Sequence, residues 1–138
     1  MLKKIYMNNS GFTLIEVLVA LVILTIGLLG LAGLQARGLS GSTDALIRSQ
    51  ATLYVYDMAE RMRANRDAAI SGKYTTTFGA APTSTGDVVE DDLVDWLAEL
   101  ATLPGGEGAI STASGVTTIS VRWSEKGASR TLAVDTQI

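Results

Sequence analysis

Glu16 is the residue whose position points most directly to chemistry. It sits at the head of a long apolar run, and residues 17–36 carry no charge at all. A carboxylate inside a membrane-length segment is expensive and is read as functional by default, with a cationic partner to be found. The other groups with chemical potential lie further on. Arg61, Arg63 and Arg66 invite a phosphate-binding reading. Asp87, Glu90, Asp91, Asp92 and Asp95 invite a calcium reading. The chain has no His and no Cys. Its commonest general base and metal ligand is therefore missing, and neither a Ser-His-Asp nor a Cys-His site can be built. Only paired carboxylates would remain for catalysis, so no catalytic residue is expected and no cofactor.

Both alternative readings weaken on geometry. At 100° per residue, Arg61 and Arg63 point about 160° apart and form no single patch. Each has an acid in reach: Asp57 with Arg61 and Asp67 with Arg63 at four residues, and Glu60 with Arg63 at three. The acids at 87–95 open a helix, where the macrodipole favours negative charge, and their spacing is not that of an EF-hand loop. No metal site is expected.

The elements that must position Glu16 start with a basic leader. Residues 1–11 hold Lys3 and Lys4 and no acid. Twenty helical residues span roughly 30 Å, the hydrocarbon thickness of a bilayer. The basic leader favours a cytoplasmic N-terminus and an exported C-terminal bulk. Three readings compete for this arrangement. A secretory signal peptide has a shorter apolar core and a small-residue cleavage site. A plain signal anchor fits the length but leaves Glu16 unexplained. The third is a leader cut before the apolar run, between Gly11 and Phe12.

Beyond the apolar run, residues 37–71 are read as the same helix continued into water, with Ile47, Ala51, Tyr54, Met58 and Met62 as its stripe and Leu46, Leu53 and Val55 alongside. Gly27, Gly30, Gly33, Gly38 and Gly41 weaken this helix. The stretch either bends or unwinds, or lets a neighbouring helix approach closely. Residues 71–86 read as a loop with a short strand at 74–78. A second helix is expected over 88–103, with Leu93, Trp96, Leu97 and Leu100 on its apolar face and Trp96 as a core anchor. A weak strand at 109–113, a turn at Ser114-Gly115, an alternating strand at 117–123 and a hairpin turn at 125–128 precede a third strand through Leu132 and Val134 toward Ile138. The expected fold class is α+β: a long N-terminal helix, membrane-spanning in its first half, packed on a small antiparallel sheet.

The segment GFTLIEVLVALVIL at 11–24 resembles the N-terminus shared by type IV pilins and type II secretion pseudopilins. The resemblance implies a membrane prepilin peptidase that cuts after Gly11 and methylates the new Phe12 amine. Loss of the leader removes Lys3 and Lys4 and moves the net charge from −3 to −5, which offers no electrostatic footprint for nucleic acid. In the cut chain Glu16 lies one turn from the Phe12 amine. The amine of a neighbouring subunit is its expected partner, setting axial register, against the plainer reading of a carboxylate snorkelling to water.

The blocks GLLGLAGLQARGL at 27–39, RSQAT at 48–52, YDMAERMRANRDAA at 56–69 and DDLVDWLAELATLPGGEGAI at 91–110 resemble the PilV-type minor pilin family. That resemblance implies a leader at 1–11, an assembly helix at 12–36 and an exported globular domain at 37–138. It implies insertion in the inner membrane, then incorporation into a surface pilus that serves adhesion or twitching motility. The implied partners are prepilin peptidase, other minor and major pilins, inner-membrane lipid and the pilus assembly platform. A pseudopilin and a tip-located binding subunit, an adhesin or a DNA-uptake protein, stand as alternatives.

Overall fold

The computed structural model describes residues 11–138, and the expected leader at 1–11 lies, except for Gly11, outside the described residues. The element order is α1 (Leu14–Ala64), α2 (Arg66–Ile70), α3 (Val88–Leu100), β1 (Glu107–Ala113), β2 (Val116–Glu125) and β3 (Ala128–Thr136). Two compact units divide the chain, one ending at Ser42 and the other covering Thr43–Ile138.

In the first unit the described residues form the apolar part of α1. Every residue from Gly11 to Leu39 is exposed. The Thr25 hydroxyl is satisfied locally, donating back to the Val22 carbonyl at 2.8 Å. The glycine-rich stretch at 27–41 stays helical throughout, so of the alternatives offered by the sequence it is not unwound. Helical hydrogen bonds need no Cβ, and a Cβ at any of these glycines would meet nothing within 4 Å.

The second unit has the core. The C-terminal part of α1 buries Ala51, Val55, Met58, Ala59 and Met62. Leu46 and Leu53 do not join them and remain 59% and 66% exposed. They lie about 160–180° round the helix from Val55, on the opposite face. At Asn65 the helix breaks, and α2 ends in a Schellman turn: Gly72 (φ +77) donates to Ala69 O and Lys73 to Ala68 O, both at 3.0 Å. The strand expected at 74–78 shrinks to one bridge, Thr76 with Ile110. Tyr74 is instead a buried core residue.

α3 is capped by the Asp87 side chain, which accepts from Val89 N at 3.1 Å. It buries Val89, Leu93, Trp96 and Leu100 and ends three residues short of the expected 103. The chain then folds tightly through two close approaches. A Cβ on Gly106 would meet Leu100 O at 1.8 Å, and one on Gly108 would meet the Trp96 ring at 2.3 Å.

The sheet is an antiparallel meander in the order β1-β2-β3. Both hairpins use two-residue loops, Ser114-Gly115 and Lys126-Gly127, with φ between +52 and +80 at all four positions. That is the primed geometry whose twist matches the strands. The β2 alternation holds as read: Thr117, Ile119, Val121 and Trp123 are buried. β3 is an edge strand, and its inward side chains Leu132 and Val134 are only half-buried. Ile138 lies beyond the strand end.

Candidate functional site

Gly11, Phe12 and Thr13 form irregular, exposed backbone before the first turn of α1. The Gly11–Phe12 peptide bond lies in this exposed stretch. Phe12 is 83% exposed. Thr13 is the helix cap: its carbonyl and its hydroxyl accept from the Glu16 N–H at 3.1 and 3.4 Å. Thr13-x-x-Glu16 is the sequence signature of a capping box, and the sequence reading passed over it. Only the Thr13 half of the box is made: the bonds run from the Glu16 backbone N–H, and the Glu16 carboxylate does not return one to Thr13.

The Glu16 carboxylate meets no donor among the described residues. It lies in a shallow apolar recess with Phe12, Val17, Ala20, Leu21 and Leu24, all on one helical face. Glu16 is the single charged group of that lining. This apolar face, with one carboxylate at its head, is exposed among the described residues. It suits lipid, or the matching faces of other such helices.

The charged groups of the second unit assemble differently. Arg61 is a clamp between two helices. Its guanidinium is 2.7 Å from Asp57 on its own helix and 3.2 Å from Glu99 on α3, with Asp92 and Asp95 at 3.6 and 3.9 Å. Burial works against its charge, but the Asp57 hydrogen bond and the fields of Asp57, Glu99 and Asp92 outweigh that and hold its pKa above the ordinary value. The sequence reading placed Arg61 on a solvated face. The signal for its real role was the acidic run at 90–99, whose cation it supplies.

Arg63 pairs with Glu60 as expected and also reaches Thr136 Oγ1 at 3.1 Å. The expected pair with Asp67 does not form, because the break at Asn65 interrupts the i, i+4 register. Tyr74 donates to Asp92 at 2.6 Å, and Asn65 reaches its hydroxyl at 3.4 Å. Burial, then the Asp92 carboxylate, push the Tyr74 pKa up to about 12. The acids of α3 are thus engaged by Arg61, Tyr74, Ser84 and Thr85. Among the described residues no group of three or more carboxylates or other ligands is placed to hold a metal ion. Trp96 is fully buried, and its indole donates to Tyr54 O at 2.9 Å, so it is a core anchor.

Residues 6–32 match a family model described as the prokaryotic N-terminal methylation motif, and residues 33–89 match one described as type IV pilin Tt1218. No curated protein and no solved structure matches the chain. The methylation motif covers the leader junction and the apolar head of α1. The pilin model takes over in mid-helix and runs through α2 into the first turn of α3. With the long apolar helix and the three-stranded antiparallel sheet that follow the same plan, the chain belongs to the type IV pilins.

Proposed function

We propose that this pilin is a minor subunit of PilV type that primes assembly of a type IV pilus. The observation that carries the reading is the bare apolar face of α1, headed by Phe12 and Glu16 in one recess. Such a helix is stable in lipid or in a bundle of its like, and in nothing else. Prepilin peptidase cuts between Gly11 and Phe12, where the backbone is exposed and irregular, and methylates the Phe12 amine. Residues 12–36 span the inner membrane once, with the leader in the cytoplasm and residues 37–138 in the periplasm. In the filament, Glu16 pairs with the Phe12 amine of a neighbouring subunit and fixes its axial register. Two buried charges of opposite sign separated from any other partner make that pairing strongly favoured over a lone buried carboxylate. The globular unit offers no catalytic group, and its role is structural, in support of adhesion or motility.

N-terminal peptide mass spectrometry on membranes and on sheared surface filaments tests this. The expected result is a peptide beginning at N-methylated Phe12 in both fractions. The same peptide in membranes alone would indicate a pseudopilin. A terminus at Met1 in both would overturn the processing and the assembly role together.

A further inference from the structure

Where the edge strand β3 meets α1, the core leaves a recess of about 280 Å³, lined by Arg48, Trp123, Arg130, Thr131 and Leu132. Trp123 and Arg130 are direct cross-strand partners. Trp123 is 3% exposed, and its buried indole N–H has no hydrogen-bond partner among the described residues. A buried unmade donor is costly and calls for an explanation. Glu125, two residues along the same strand face, is half-buried, and its buried Oε2 accepts no hydrogen bond among the described residues. It lies 3.8 Å from both Arg48 and Arg130, too far for a hydrogen bond to either. Neither arginine has another partner among the described residues, and their side chains are 64% and 55% exposed.

We propose that this recess binds a carboxylate group, held by the guanidinium groups of Arg48 and Arg130 beside the Trp123 ring. Two arginines against one glutamate leave the recess one positive charge, on a chain whose net charge is negative. Planar guanidinium groups match a carboxylate's two oxygens, and charge-assisted bonds of this kind are the strong ones. Glu125 sits between the two arginines and keeps both at the rim, with hydrogen-bonding capacity to spare. The volume lies at the lower edge of small-ligand sites, which suits a small organic acid or one acidic side chain. This site is independent of the N-terminal segment and its processing.

The two indole N–H signals make the test internal. The full chain, labelled with ¹⁵N at tryptophan and held in detergent micelles, is titrated with sodium acetate and, at equal ionic strength, with sodium chloride. The Trp123 signal is expected to move saturably with acetate and not with chloride. The Trp96 signal, locked on Tyr54 O, stays still and reports an intact fold. Arg48→Gln, on an exposed side chain, is expected to weaken the effect about tenfold or more, as loss of a charge-assisted bond does. A still Trp123 signal, an equal response to chloride, or an unchanged response in Arg48→Gln would overturn the proposal. Adding unlabelled chain separates the sources. A Trp123 shift reversed by acetate means the carboxylate is a side chain of a second copy, and a response to acetate alone means it is a free acid.

Discussion

The Trp96 indole N–H donates to the Tyr54 carbonyl at 2.9 Å, so a side chain of α3 is bonded to the backbone of α1. The Tyr54 hydroxyl returns the contact to Thr102 at 3.0 Å, just past the end of α3. These two bonds set how far along the long helix the second helix sits. Trp96→Phe keeps an aromatic filler and loses the bond and part of the ring. We expect a loss of about 2–3 kcal/mol, since the site is fully buried and the smaller ring leaves a cavity. Urea unfolding followed by the remaining tryptophan measures it.

The same ring explains a glycine. Gly108→Ala would place a Cβ 2.3 Å from the Trp96 ring and 2.7 Å from a Leu100 methyl. Side chains can shift, so the cost is that of ordinary overpacking, about 1–3 kcal/mol. Gly106→Ala meets the Leu100 backbone oxygen at 1.8 Å, and backbone cannot move aside. The expected order in thermal unfolding is wild type, then Gly108→Ala, then Gly106→Ala as the least stable.

Arg61 and Arg63 are two residues apart and should behave differently. Arg61→Gln leaves Asp57, Asp92, Asp95 and Glu99 facing one another without their cation. A loss of about 1–3 kcal/mol is expected, shrinking as added salt screens the acids. Arg63→Gln removes an exposed pair and should cost under about 1 kcal/mol. Denaturation of both variants at low and high salt checks the contrast.

Tyr74 predicts an alkaline limb. The phenol stays neutral in the folded chain up to about pH 12, while in the unfolded chain it ionises near pH 10. Between these values the unfolded state releases a proton that the folded state keeps. Stability from this group is therefore level below about pH 10 and falls as pH rises toward 12. Tyr74→Phe should cost about 1–2 kcal/mol at neutral pH through its lost bond to Asp92, and should flatten the alkaline limb. Stability against pH for the two chains tests both points.

Glu16→Val tests the register reading separately from processing. The Gly11–Phe12 bond is untouched, so the variant is expected in membranes with its leader removed. It is expected to be missing from sheared filaments. Its recovery there at the normal level would mean the carboxylate does not set register. Thr13→Ala, which removes only the hydroxyl cap at 3.4 Å, should leave incorporation close to normal.

Much of this protein was legible from residue order because the deciding interactions are local. The apolar run, the period-2 pattern of β2 and the acidic start of α3 each act within a few residues. The Ser114-Gly115 and Lys126-Gly127 turns do too, and all were formed where the pattern put them. The Thr13 cap is equally local. The exposure of Leu46 and Leu53 was also readable, since a helical wheel puts them opposite Val55.

Contacts across long sequence distances decided the rest. Arg61 pairs with Glu99 and Asp92, Tyr74 enters the core rather than a strand, and Arg48 faces Arg130 and Glu125 across the recess. None of these follows from periodicity, because each depends on where α3 and the sheet come to rest on α1. The sequence by itself determined most of the elements and the apolar N-terminal segment, whose physics is that of one helix and one carboxylate. Only the tertiary structure decided which charges compensate one another and which polar groups stay unmet, because burial and partnership exist only once distant segments pack.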